Sequence, residues 1–569
     1  MGWAKTAADV LGEIPVQHAG RVKPFESFAR EVSLAVTGGE RFQKLPAASL
    51  VWHWMAEPET WFAAPMIPVP NKKLAAEFPP LALIEGRVSP QIVLAHKPFL
   101  EEAEAASQRQ AKKETLTPLD RKRLEIYSHA LLFQQIAAGA LPGWIANPED
   151  PRAGWLPFQG FVDEAGQAKL SQFYPQAQVM AAQNSLRKTL DSFKADPGSS
   201  QSIEAAETFK QALEDLLESR GVVLDPKVLK AERIYNRLHA FEWAWKFYLA
   251  SSLLFVLGGL SFRRATLKGC FAEPGEIPMQ RDLSSQKTLL EMTGRRLALF
   301  LFLVGFLVHL YGFYLRCVIA GRPPVTNMYE SVIWVSWGVA FFSLVLFAFF
   351  RSSPVLMVSG FVATLALMIA QSFPALMDPS ITPLVPVLRS NWWLTIHVLT
   401  ITLSYAAFAL AWGLGHGVMF RFTLGNEGDE GAQRLAQYLY RSIQIGVVLL
   451  ASGTVLGGVW ANYSWGRFWG WDPKETWALI ALLGYLAVLH GRFAGWLDVF
   501  GLAMGSVIAF LGIVMAWYGV NYVLAAGLHS YGFGGGGAPY VGAVALLDLL
   551  LVVAAAWIYK RKKIPAISR

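Results

Sequence analysis

The chain has 569 residues, 53% of them hydrophobic and 13% aromatic, with a positive mean hydropathy. Such values exceed those of soluble domains and indicate a polytopic membrane protein. The net charge of +8 requires no nucleic acid, since the excess cations cluster beside apolar segments; the two cysteines, Cys270 and Cys317, exclude a disulfide scaffold, a zinc ribbon and any C-x-x-C-H haem attachment site in this chain.

Residues 1–240 read as a water-soluble, mostly helical domain. They carry charged amphipathic stretches such as "EEAEAASQRQAKKE", Pro-rich turns such as "NPEDPRAGWLPF" and no run long enough to span a bilayer. The stretch "KADPGSSQS" predicts an exposed linker between helices. No dinucleotide fingerprint, P-loop or catalytic triad stands out there.

Residues 241–569 form a transmembrane domain, predicted as a helical bundle of about nine spans. The spans lie near 243–261, 297–319, 330–350, 354–373, 394–420, 442–461, 475–491, 499–523 and 540–559. Arg263, Arg264, Lys268, Arg281, Lys287, Arg295 and Arg296 place the loop between spans one and two in the cytoplasm. Strict alternation puts Arg351, the loop 421–441, Arg492 and the tail "YKRKK" on the same side. The first domain, the Pro-rich loop 374–393, the segment 460–477 and "LHSYGFGGGG" are therefore expected outside. An outside domain of this size calls for a signal segment, yet "MGWAKTAADVLGEIPVQ" has no basic region followed by an apolar core. The expectation is a start upstream of Met1 or a membrane segment that has been removed; a cytoplasmic domain would invert every assignment.

The most unusual stretch is "WGRFWGWDPKETWALI", from Trp465. Asp472 is suited to cap a helix, Pro473 to occupy its first position and Glu475 to complete a capping box. The helix N-terminus, with Arg467 and Lys474 beside it, suits an anion. Trp460, Trp465, Trp469, Trp471 and Trp477 crowd the same place, and flat indoles suit a flat apolar ligand. An interfacial aromatic belt explains two or three of these rings, but not their concentration beside glycines, a capping box and two cations.

That stretch resembles the tryptophan-rich WWD signature of haem-handling proteins in cytochrome c maturation. The membrane half resembles the CcsA/ResC type of the System II cytochrome c synthetase, through "PPVTNMYESVIWVSWG", "WWLTIHVLTITLSYAAFALA", "LHGRFAGW" and "NYVLAAGLHSYGF". The stretch "IPVQHAGRVKPFESFARE", from Ile14, resembles the extracytoplasmic region of extended members. The resemblance implies a bacterial inner-membrane protein with the WWD segment on the periplasmic side.

Ten histidines occur. His397 starts span five and His529 follows span eight, on the expected outer side, and histidine is the usual nitrogen ligand of haem iron. Both match the family's external haem ligands. His490, roughly 26 Å down span seven from its cap, matches the family's transmembrane haem ligand. Its partner ligand would come from a separate CcsB/ResB-like subunit; His416 and His309 are the in-chain alternatives. Histidines 18, 53, 96 and 129 show no ligand spacing, and His239 reads as interfacial.

The resemblance thus implies a holocytochrome c synthase that receives haem b near His490. It would hold the haem outside between His397 and His529 on a floor of Trp460, Trp465, Trp469 and Trp471, with Arg467 and Lys474 near the propionates. Asp472 is accounted for by its cap. Partners would be apocytochrome c, which brings the C-x-x-C-H thiols, and thiol-reducing proteins of the outer compartment; no residue here resembles a nucleophile. Rival readings are haem delivery without ligation and a b-type electron-transfer subunit.

Overall fold

The computed structural model describes all residues except 1–4, 113, 115, 148–153, 160–163, 223, 270–278, 374–376, 384–391, 426–429, 525–536 and 564–569; the side chains of 164–167, 169 and 259–292 also lie outside the described set. The chain is mainly α-helical and divides into two compact units, Met1–Leu238 with Ser380–Pro383, and His239–Pro379 with Leu384–Arg569.

In the first unit, helices surround a small antiparallel sheet of Pro15–His18, Arg21–Pro24, Gly143–Ile145 and Leu156–Pro157. Its core is aromatic. Phe25 stacks on Trp144 at 5.3 Å, Trp144 meets Phe158 edge-on at 4.9 Å, and Trp52 is fully buried among them. Helices Gln176–Ala195 and Ser200–Glu218 form a hairpin whose turn is the expected linker, with Ser199 capping the second helix through Ser202 N–H. Arg21 joins Glu232 in a two-point pair at 2.6 and 2.7 Å and donates to the Ile381 carbonyl, which ties 380–383 to this unit.

The second unit consists of long apolar helices: α1 Ala240–Gly269, α2 Met279–Ala320, α3 Met328–Phe350, α4 Ser353–Ser372, α5 Trp392–Leu424, α6 Glu430–Trp465, α7 Pro473–Phe493, α8 Val499–Val514 and α9 Ala538–Lys563. Among the described residues, eight helices are long and apolar enough to cross a bilayer, and they coincide with expected spans two to nine. The first expected span falls in α1. Leu297, Phe300, Leu303 and Leu307 on α2, like Leu546, Leu547, Leu550 and Leu551 on α9, are exposed apolar side chains suited to lipid.

Two local features position the site. First, α5 and α6 approach closely because α6 has glycine where they meet. A β-carbon on Gly453 would lie 2.9 Å from Ile401 Cα, and one on Gly457 would lie 2.6 Å from His397 Cε1. This is small-residue packing between membrane helices. Second, α8 continues as a π-helical stretch, Met515–Leu524, at the end of the bundle where α3, α5 and α7 begin. Widened turns of this kind frequently mark functional sites.

Candidate functional site

A cavity of about 1470 Å³, open mouth included, lies at that end of the second unit. The starts of α3, α5 and α7, the end of α6 and the π-helical stretch all contribute walls. His397, Trp460, Trp469 and Lys474 line it, beside Phe468, Glu475, Trp517 and Asn521. Five residues picked out in the sequence, with Glu475 the fifth, spread over three helices and a loop, thus face one space.

His397 is half-buried, and its Nδ1 lies 2.7 Å from the Gly453 carbonyl. A carbonyl only accepts, so Nδ1 carries the proton and the lone pair resides on Nε2. Histidine ligands of metals are set in this way, with the second nitrogen fixed by a backbone carbonyl. Gly453 supplies that carbonyl and, with Gly457, the room for the ring.

Around the tryptophan segment the capping box is complete. Asp472 accepts from Lys474 N–H at 3.0 Å, while Glu475 accepts from Asp472 N–H at 3.2 Å and Gly470 N–H at 2.8 Å. Trp471, just before the cap, has a left-handed backbone (φ 56°), an unusual conformation for a bulky residue, and its ring is exposed.

The expected indole floor takes another form. Trp460 is buried and meets Trp465 edge-on at 4.6 Å with 67° between planes; Trp469 and Trp471 are perpendicular at 5.7 Å. Edge-to-face pairing satisfies the ring quadrupoles better than a shared plane. Of these rings, Trp460 and Trp469 reach the cavity, and Phe468 does so as well. Arg467 has partners of its own within the loop. It pairs with Glu475 at 3.1 Å and lies over Trp465.

His529 lies outside the described residues. His490 sits near the far end of α7, exposed, with Nδ1 donating to the Leu486 carbonyl at 2.7 Å. The in-chain alternatives have both ring nitrogens engaged. His416 meets Asp548 at 2.8 Å and the Trp412 carbonyl at 3.1 Å; the fully buried His309 meets the Ile333 carbonyl at 3.1 Å and Tyr248 Oη at 3.4 Å.

Several wall residues escaped the sequence reading. Arg322, Thr326 and Ser331 line the cavity, and behind them Glu330 and Arg316 form a fully buried ion pair at 2.8 Å. An arginine and a glutamate inside apolar spans were the available signal, since charges there are costly and usually have a role.

Comparison with known proteins shows the family. Residues 325–529 match the cytochrome C assembly protein family. Protein NrfI of Wolinella succinogenes is 29% identical over 544 residues, covering 92% of this chain and 54% of that protein. The cytochrome c biogenesis protein CcsA of Prochlorococcus marinus (strain NATL2A) is 36% identical over 252 residues, 38% of this chain and 78% of that one. The chain belongs to the CcsA family of cytochrome c biogenesis proteins. CcsA of Mesostigma viride, at 35% identity over 246 residues, covers 77% of its own length. The stretch that matches the family model includes His397, His490, His529 and the whole tryptophan segment, whereas Arg316 and Arg322 precede that stretch. The chain spans about half the length of the NrfI protein it matches.

Proposed function

We propose that this chain takes part in cytochrome c maturation by holding haem b, as substrate, in the cavity around His397 and presenting it to apocytochrome c. The observation that carries this reading is the His397 imidazole: its tautomer is fixed by Gly453, its ring is accommodated by Gly457, and it borders a large aromatic-walled space. His529 is proposed as the opposite axial ligand. Trp460 and Trp469 contribute apolar wall, with Trp465 and Arg467 packed behind, while Asp472 and Glu475 hold the loop shape.

Thioether formation adds each apocytochrome thiol S–H across a vinyl C=C. A C–S bond forms, the proton ends on the neighbouring carbon, and no electrons are exchanged. The chain's contribution is to fix the macrocycle while the C-x-x-C-H segment meets it. Family membership supports the assignment to cytochrome c biogenesis. The cavity end of the bundle is assigned to the extracytoplasmic side on the positions of the basic loops.

His490 is proposed to receive haem at the other end of α7, paired with a ligand from a CcsB/ResB-like subunit. Its exposure on the helix face and the engagement of His416 and His309 within the bundle support that source.

The test is maturation of a co-expressed C-x-x-C-H reporter in cells carrying the full chain and its partner subunit. His397→Ala and His529→Ala are each expected to lower holocytochrome yield at least tenfold, and added imidazole to restore most of it. Wild-type yield from both variants would contradict the assignment.

A further inference from the structure

A second pocket lies at the opposite end of the second unit, where α3 and α7 finish and α6 and α8 begin. It holds about 1060 Å³, open mouth included. Its polar lining comes largely from one face of α6, because Gln433, Gln437 and Arg441 recur at the spacing that stacks side chains along a helix. Arg492, in the last turn of α7, adds a second guanidinium, and Phe350, Phe493, Val499 and Leu502 supply apolar wall.

Neither guanidinium has a carboxylate within ion-pair distance among the described residues. Arg441 donates to Gln444 Oε1 at 3.0 Å, and Arg492 donates to the Leu497 carbonyl at 2.9 Å. A guanidinium carries several further N–H groups, and these have no protein acceptor among the described residues. The described acids nearest in sequence are engaged elsewhere. Glu430 pairs with Arg434 at 3.4 Å; Asp498 caps α8 through Gly501 N–H at 2.7 Å and accepts from Tyr559 Oη at 3.0 Å. No carboxylate lines the pocket among the described residues.

Exposed rings surround the same helix ends, with Phe349 near the end of α3, Phe493 at the end of α7 and Trp496 just beyond it. Aromatic rings at the ends of membrane helices mark the boundary between hydrocarbon and headgroups. The pocket therefore opens at the depth of the lipid phosphates.

We propose that this pocket binds the headgroup of an anionic phospholipid. Arg441 and Arg492 share its phosphate, and the apolar wall receives the start of its acyl chains. A planar guanidinium meets phosphate oxygens in a two-point geometry, while Gln433 and Gln437 offer neutral donors and acceptors to the rest of the headgroup. No histidine lines the pocket among the described residues, so a haem there would lack an axial ligand, and a free inorganic anion would leave the apolar wall unused. A lipid bound there bridges α6 to the last turn of α7, the turn that carries His490. The site is independent of His397, and its loss would leave the haem reading untouched.

Native mass spectrometry of the purified full-length chain tests this, with phosphatidylglycerol or phosphatidylcholine of the same acyl chains added to the detergent. The readout is the ratio of the two lipids retained per protein, which a general loss of lipid does not change. The wild type is expected to retain one phosphatidylglycerol saturably, preferred about thirtyfold, the combined scale of two basic residues beside an anionic headgroup. Arg441→Gln and Arg492→Gln are each expected to lower that preference roughly fivefold, the scale of one such residue. Arg434→Gln, an exposed position on α6 outside the pocket, is expected to leave it unchanged.

Equal retention of both lipids by the wild type would overturn the site without recourse to any variant, as would an unchanged ratio in both arginine variants. Displacement of the bound phosphatidylglycerol by equimolar inorganic phosphate would make the pocket a free-anion site, and displacement by equimolar ferric haem would make it a haem site; either overturns the lipid assignment. A variant that misfolds loses both lipids and no longer elutes with the wild type, and the wild-type selectivity and the other arginine then decide.

Discussion

Glycine at 457 determines whether an imidazole fits at 397. Any side chain there meets the His397 ring, since even a β-carbon would come within 2.6 Å of Cε1. Gly457→Val is therefore expected to displace the ring and abolish the His397-dependent part of the haem spectrum while the protein still elutes as a folded species. Retention of that spectrum would show that the ring does not need this space. The sequence made His397 visible as a histidine at a span edge, but not its hydrogen bond to Gly453. That contact depends on α5 and α6 approaching through Gly453 and Gly457, and such an approach is a property of two helices together. Arg467 taught the converse. Its nearness in sequence to the cap suggested an anion site, and Glu475, in the first turn of α7, pairs with it at 3.1 Å. Local spacing identifies charged neighbours without saying which of them will already be satisfied.

At the scale of elements, α7 begins where its sequence dictates. The Asp472 cap, Pro473 and Glu475 are local signals and were legible, as were the spans, because a membrane helix must satisfy its backbone internally and advertises itself by length and apolarity. Asp472→Ala is expected to destabilise the start of α7 by about 1 kcal/mol and to loosen the 466–471 loop, measured as faster amide exchange there with little change in α5. The edge-to-face indoles were not legible, since ring planes follow from loop conformation at Gly466, Gly470 and Trp471. The π-helical end of α8 has no signature in apolar periodicity, and so Trp517 and Asn521 went unnoticed.

In the first unit, Glu31 offers a pH test. Burial pushes its carboxyl up, but the His18 ring 3.5 Å away, the Lys23 hydrogen bonds and the charges of Lys23 and Arg21 outweigh this and hold it below its ordinary value of 4.5. A carboxyl lowered by folding adds stability that is complete above the unfolded value and is lost as pH falls through the folded one. Glu31→Gln should therefore be less stable than wild type near neutrality and lose less on acidification below pH 4.5. Parallel acid-unfolding curves for the two proteins would refute this.

For the molecule as a whole, the two proposed haem sites lie at the two ends of one bundle. His397 and the cavity occupy the end where α3, α5 and α7 begin, and His490 lies roughly 26 Å further along α7. His490→Ala is expected to lower the haem that co-purifies with the chain and its partner subunit, while haem supplied directly still binds at His397; loss of both would mean that the ends are not separate sites. The helical class, the family and the broad role were readable because they rest on span patterning and one dense motif. The buried Arg316–Glu330 pair behind the cavity wall was not, because its members meet only once α2 and α3 are folded together. The central proposal is that His397 supplies a ligand to the haem iron. Electron paramagnetic resonance of the ferric haem complex, wild type against His397→Ala, measures it directly. A low-spin bis-histidine signal in the wild type, converted to high spin in the variant and returned to low spin by imidazole, is the predicted result. An identical low-spin signal in both proteins would contradict it.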